Sequence, residues 1–190
     1  MTKSIILVGV GGQGTITTSS ILARGLIAGG KDVKMSEIHG MSQRGGTVVT
    51  QVKYGEKVYS PIIGEGEADL IVSFEKVEAL RALPYLKEGG TVVTDIREIF
   101  PMPVLTGAAA YPGDAIEQMQ KSVPNVIVVR AAELAQQLGN VKAQNIVLLG
   151  ALVKQLGLME IDWRSIIRDS FPEKLVDLNL KAFEAGTSME

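Results

Sequence analysis

An α/β fold, with a mostly parallel sheet and flanking helices, follows from three features of the chain. Apolar runs of strand length recur, helical patterns separate them, and the first run turns sharply through glycines into a helix. Strands that alternate with helices call for right-handed crossovers, which set the strands side by side and parallel.

Ser4–Val10 is a continuous apolar run ending in Gly11-Gly12, the pattern of a parallel strand buried on both faces. Residues from about Gln13 to Ala28 read as a helix. Its small residues Thr17, Thr18, Ser19, Ser20 and Ala23 permit close packing on a sheet, and Gly29-Gly30 stops it. Asp32–Ser36 is a second strand, and Gly40–Gly46 is a loop. The alternating run Thr47–Lys53, the Tyr54-Gly55-Glu56 corner and Lys57–Ser60 together predict a β-hairpin near 47–60, an antiparallel excursion. Ala68–Ser73 and Thr91–Thr94 are buried strands on either side of a helix from about Lys76 to Leu86. Phe100–Pro112 is a Pro- and Ala-rich connection. Asp114 followed by Glu117 predicts a capped helix to about Lys121, and Asn125–Val129 is the last strand.

The remainder reads as helical. Ala131–Leu138 ends at Gly139, and Val141–Leu156 carries an apolar stripe at Val141, Leu148, Leu152 and Leu156. Asp162 is placed to cap a helix through Arg168. Ser170 with Glu173 reads as a capping box for a final helix ending at Gly186. One domain over residues 1–186, with a frayed tail at 187–190, is the expected organisation.

Composition narrows the chemistry. The chain has no Cys, which excludes disulfides, a cysteine-ligated iron–sulfur cluster and a thiol nucleophile within it. With one His, a histidine-rich metal site is excluded as well. A net charge of −2 offers no attraction to nucleic acid or anionic membranes. The longest apolar stretch, Ile146–Val153, falls far short of the ~20 residues a membrane helix needs, and Ile5–Val8 is too short for a signal-peptide core. A cytoplasmic protein is the expectation.

Gly9-Val10-Gly11-Gly12-Gln13-Gly14 satisfies G-x-G-x-x-G in its required setting, after a strand and opening a helix, which makes the fold Rossmann-like. Here Gly11 lets the backbone approach a ligand, Gly14 allows close helix–sheet packing, and the helix N-terminus offers N–H groups to an anion. A tight turn with no ligand fits the same residues. Glu37 lies about 20 residues beyond the motif, where a dinucleotide fold places its ribose-binding carboxylate. Gly9, Gly11, Gly12, Gln13, Gly14 and Glu37 are therefore the candidate cofactor-binding residues.

The following loop is more distinctive. His39-Gly40-Met41-Ser42-Gln43-Arg44-Gly45-Gly46 gathers an imidazole, an amide and a guanidinium between glycines, so backbone and side chains present donors to an acidic group. The plain alternatives are a hydrogen-bonded loop histidine and a surface ion pair for Arg44, worth under ~1 kcal/mol. Ser73, Glu75, Asp95 and Arg97 fall at strand C-termini, the edge that holds the ligand crevice in open α/β sheets. Each alone is a cap or a solvated charge; as a set they mark that edge. Asn145, on the apolar stripe, reads as a satisfied buried amide or as a register-fixing contact in a subunit interface. Stand-alone hydride transfer is disfavoured, since the chain offers one histidine, His39, as a substrate-orienting acid or base.

G-V-G-G-Q-G near the N-terminus followed by H-G-M-S-Q-R-G-G-T resembles the gamma-type subunit or domain of 2-oxoacid:ferredoxin oxidoreductases. Pyruvate-type members usually read Y-G-x-x-x-R-G-G in the second loop, and the version here is similar to the beta subunit of indolepyruvate:ferredoxin oxidoreductase. Tyr111-Pro112-Gly113, Leu138-Gly139-Asn140 with Asn145, and Asn179-Leu180-Lys181-Ala182-Phe183 extend the likeness over almost the whole chain.

The resemblance implies an enzyme that oxidatively decarboxylates a 2-oxo acid with coenzyme A to an acyl-CoA, with ferredoxin as electron acceptor. Thiamine diphosphate and the iron–sulfur clusters are then held by an alpha-type partner subunit, and ferredoxin is met only indirectly. No catalytic residue is expected in this chain, and no metal. It completes the active-site assembly, with coenzyme A as the cofactor it is a candidate to touch. His39, Gly40, Met41, Gln43, Arg44, Gly45 and Gly46 form the expected partner-facing loop. The alternative is a free-standing nucleotide-binding or sensing homodimer.

Overall fold

The computed structural model describes residues 2–40 and 45–189. Met41, Gln43 and Arg44, singled out in the second loop, lie outside the described residues. In chain order the elements are β1 (Lys3–Val10), α1 (Thr15–Ala28), β2 (Asp32–His39), β3 (Thr47–Gly55), β4 (Ala68–Ser73), α2 (Lys76–Ala82), β5 (Leu86–Asp95) and α3 (Met102–Leu105). They continue as α4 (Ala115–Ser122), β6 (Asn125–Val129), α5 (Ala131–Gln137), α6 (Gln144–Gln155), α7 (Trp163–Arg168) and α8 (Glu173–Ser188). Short 3-10 turns at Leu83–Tyr85 and Val141–Ala143 follow α2 and precede α6.

The six strands form one sheet in the order β2-β3-β1-β4-β5-β6. Pairs β1–β4, β4–β5 and β5–β6 are parallel, and β3 alone runs against both of its neighbours. The Rossmann-like α/β expectation thus holds. The hairpin near 47–60 needs correction: its second arm, Lys57–Ser60, forms no strand. Both edges of β3 are already occupied by β1 and β2, so no backbone donors remain for a third partner. The Val58 N–H instead donates to Asp32 Oδ2 at 2.9 Å.

Apolar side chains alternate along the strands onto two cores. Ile5, Leu7, Val52, Leu70 and Val72 meet α1 and α6 on one face; Ile6, Val8, Ile71 and Val92 meet Ala79 of α2 and Met119 of α4 on the other. Helix α6 is buried almost all round rather than along a stripe, because it is wedged between the sheet and α8. Gly186 does not stop α8, which continues to Ser188. A Cβ there would stand 2.0 Å from the Val147 carbonyl oxygen, and one on Gly150 would stand 2.3 Å from that of Phe183. These glycines let α6 and α8 touch backbone to backbone.

Two capping expectations also change. The Asp114 side chain caps nothing and accepts from Gln118 Nε2 at 2.9 Å. Ser170 donates back to the Ile166 carbonyl at 2.6 Å, and Pro172 takes the N-cap position of α8. Asp162 does cap α7, accepting from the Ser165 N–H at 3.1 Å. Among the described residues no helix is long and apolar enough to cross a membrane, and no group of three metal-ligating side chains occurs.

Candidate functional site

The site grows from the C-terminal ends of β1 and β4. After Val10 the chain must reverse within a few residues, and Gln13 fixes that turn from inside. Its N–H donates to the Val10 carbonyl at 3.1 Å, its Oε1 accepts the Val10 N–H at 2.7 Å, and its Nε2 donates to the Phe74 carbonyl at 2.6 Å. Gln13, expected to face a cofactor, thus commits both ends of its amide to the fold. Gly9 sits beneath, where a Cβ would meet Gln13 Oε1, Phe74 Cβ and Thr15 Oγ1, each at 3.0 Å.

Gly12 and Gly14 adopt φ of +100° and +83°, a region that L side chains rarely enter. A Cβ on Gly12 would meet nothing within 4 Å, so this backbone faces open space. Gly14 is the N-cap of α1, and a Cβ on it would lie 2.7 Å from Asn145 Nδ2. Close packing at Gly14 is therefore against α6 as the helix N-terminus is seated. No side chain caps α1 and no acidic residue stands in its first turn, so its leading N–H groups have no acceptor among the described residues. The Thr15 hydroxyl, in a residue only 3% exposed, also lacks a partner.

The second loop is anchored on this turn. The Gly11 N–H donates to the Gly46 carbonyl at 2.8 Å. Strand register aligns His39 with Val48 and Val48 with Gly9, which brings the imidazole to the rim of the turn. His39 Nδ1 lies 3.2 Å from the Gly40 carbonyl oxygen. Gly11, Gly12, Gly14, Thr15 and His39 line one cleft of about 380 Å³.

Glu37 is not part of it. In a dinucleotide fold the second strand neighbours the first, but here β3 stands between them. Glu37 pairs with Thr50, which pairs with Leu7, so its carboxylate is one strand further out and short of the turn. It is exposed and absent from the cleft lining.

The other strand-end residues close the crevice structurally. Ser73 donates to the Glu75 carbonyl at 2.6 Å. Glu75, 1% exposed, caps α2 by accepting from the Val77 and Glu78 N–H groups at 2.8 and 2.9 Å. Tyr111, which the residue pattern alone did not single out as functional, donates its hydroxyl to Glu75 Oε1. Burial, followed by this bond, pushes the Tyr111 pKa well up. Gly45, Glu75, Glu78, Arg81 and Tyr111 line a neighbouring cleft of about 240 Å³. Burial raises the Glu78 pKa, against the opposing pull of Thr47 and Arg81.

Asp95, fully buried, accepts the Ala132 N–H at 2.9 Å while its Oδ1 has no partner. Desolvation lifts its pKa to about 6. Arg97 binds Gln144 Oε1 at 2.5 Å, and Gln144 Nε2 reaches the same Phe74 carbonyl as Gln13, at 2.9 Å. Asn145 is buried as expected, although its side-chain amide makes no hydrogen bond among the described residues. Gln144 and Tyr111 had no spacing signal that would have assigned them these roles.

A glycine turn with open N–H groups and a facing imidazole loop, both at the strand C-termini, make an edge open to a ligand or partner. The sequence matches the pyruvate ferredoxin/flavodoxin oxidoreductase family over residues 4–189, and the chain belongs to that family. It is similar to the indolepyruvate oxidoreductase subunit IorB of Thermococcus kodakarensis, at 43% identity over 96% of this chain and 93% of that one. The IorB subunit of Pyrococcus horikoshii is 42% identical over the same shares. Among solved structures, the gamma subunit of a keto/oxoacid ferredoxin oxidoreductase from Geobacter sulfurreducens superposes with a TM-score of 0.70 at 25% identity, covering 97% of this chain and 95% of that one.

Proposed function

We propose that this chain is the accessory subunit of a cytoplasmic 2-oxoacid:ferredoxin oxidoreductase acting on indolepyruvate or a related aryl pyruvate. The observation that carries the reading is end-to-end similarity to IorB subunits, joined to a strand-end cleft shared by Gly12 and His39. Thiamine diphosphate and the iron–sulfur clusters belong to the alpha-type partner, in keeping with a chain that has no Cys for cluster ligation.

The residues at the turn fit a phosphate group of coenzyme A. Gly12 is open, the leading N–H groups of α1 await an acceptor, no carboxylate stands in its first turn, and the Thr15 hydroxyl is unpartnered. When bound, coenzyme A supplies the thiol that takes up the acyl group. The chain's own residues bind and orient: Gly11–Gly14 hold the anion, and the 39–46 loop docks on the partner. The alternative of a free-standing nucleotide-binding homodimer is weakened because Glu37 does not reach the turn.

Calorimetric titration of the assembled enzyme with coenzyme A tests this reading through Gly12→Val and His39→Ala. A loss of affinity of about tenfold or more in Gly12→Val, with assembly intact, is expected. Unchanged affinity and unchanged assembly in both variants overturn it.

A further inference from the structure

The cleft of about 240 Å³ between α2 and the Pro-rich 99–112 segment is separate from the glycine turn's own cleft. One wall is apolar, made by Pro101, Pro103, Val104, Ala109 and Ala110. The facing wall carries the carboxylates of Glu75 and Glu78 and the guanidinium of Arg81.

Glu75 is fully committed to the fold. Its Oε2 accepts the Val77 and Glu78 N–H groups, and its Oε1 accepts the Tyr111 hydroxyl and the Ile99 N–H. Glu78 is not. It is only 5% exposed, and Arg81 Nη1 donates to its Oε1 at 2.8 Å, but its Oε2 has no hydrogen-bond partner among the described residues. Glu78 also lines an adjoining cleft of about 120 Å³ with Val8, Val49 and Tyr85, so open space lies on two sides of this carboxylate.

A carboxylate withdrawn from water with one oxygen unpaired is costly, and burial accordingly raises the Glu78 pKa. The cations already present leave that oxygen without a donor. Arg81 engages Oε1 and keeps its side chain 60% exposed, while Lys76 is held by Glu98 at 2.5 Å and by the Gly113 carbonyl at 2.8 Å.

We propose that this cleft binds an organic cation of side-chain size, an alkylguanidinium or alkylammonium group, with its charge on Glu78 and its stem along the proline and alanine wall. An anion would meet two carboxylates there, and a neutral ligand would leave the buried charge uncompensated. A guanidinium supplies a charge-assisted donor to Oε2, and an alkyl stem covers apolar surface while its charged head stays on the acid.

Two sources supply such a group: a free amine or guanidine, or an arginine or lysine of another protein chain. Only the second source rests on the functional reading above. Calorimetry of the purified full chain uses n-butylguanidinium as the probe, with N-butylurea as its neutral counterpart of the same shape. Glu78→Gln keeps the side-chain shape and removes the charge. Ala109→Trp, at an exposed position, fills the cleft without touching the core.

Butylguanidinium is expected to bind wild type in about the millimolar range, and at least about tenfold more tightly than butylurea. Glu78→Gln should erase that preference, and Ala109→Trp should block both compounds. Butylguanidinium that still binds the assembled enzyme assigns the site to a free cation. Binding lost on assembly, with Glu78→Gln weakening the assembly at least about tenfold, assigns it to a side chain of the partner. No binding at about 10 mM, equal binding of butylurea, or an unchanged preference in Glu78→Gln overturns the proposal. A failure of the coenzyme A reading, seen as unchanged affinity in Gly12→Val, leaves each of these outcomes as it stands.

Discussion

The carbonyl oxygen of Phe74 accepts the side-chain amide of Gln13 at 2.6 Å, so the end of β4 is tied directly to the glycine turn after β1. Gln144 Nε2 donates to the same carbonyl from α6, and Arg97, from beyond β5, donates to Gln144 Oε1, which links four parts of the chain. Gln13→Ala leaves the Val10 N–H without its acceptor in a buried site. The expected cost is about 2–4 kcal/mol, from an unpaired buried donor and a lost second bond. Urea unfolding checks it, and Gln144→Ala should cost less, because Gln13 still satisfies Phe74.

Contact between α6 and α8 gives a sharper stability prediction. Gly186→Ala places a methyl group 2.0 Å from a backbone oxygen that has no room to retreat. Overpacking of this kind costs about 1–3 kcal/mol or more. Gly113→Ala, where a Cβ would meet nothing, should be neutral in the same melts.

Tyr111 holds the 99–112 segment onto Glu75, which also receives the Ile99 N–H at 3.4 Å. Tyr111→Phe removes one bond to a buried carboxylate, and a loss of about 1.5–3 kcal/mol is expected. Hydrogen exchange should rise in the α2 first turn, which Glu75 caps.

Asp95 predicts a pH dependence. Its folded pKa, about 6, lies above the ordinary 3.8, so the folded state keeps the proton longer than the unfolded chain does. Stability from this group is full below the ordinary value and is lost as pH rises through the interval to the folded one. The shift corresponds to roughly 3 kcal/mol at about 1.4 kcal/mol per pKa unit. Asp95→Asn should flatten that part of the stability–pH curve, measured by urea unfolding at several pH values. An identical slope in the variant would show that other groups set it.

Much of the frame was legible in local patterns. β1, β4 and β6 announced themselves as apolar runs, and the glycine turn fixed where α1 begins, because those signals are local. Lys57–Ser60 misled because its alternation is compatible with a strand, whereas strand formation depends on a free neighbouring edge that β1 and β2 had already taken. Gly186 read as a helix stop for the same reason: glycine serves both as a terminator and as a point of close approach, and only the position of Val147 distinguishes them. The site was half legible. Gly12 and His39 do converge, but Glu37 was assigned by its distance from the turn along the chain, which cannot register an antiparallel strand inserted between β1 and β2. The roles of Gln144 and Tyr111 depend on long-range contacts and left no trace in spacing.

The role proposed for this chain is to complete a larger enzyme. The most direct measurement is reduction of ferredoxin with indolepyruvate and coenzyme A, catalysed by the thiamine- and cluster-bearing partner with and without this chain. Activity that requires both chains, purified as one complex, is the predicted result. Full activity of the partner alone, or two chains that never associate, would contradict it.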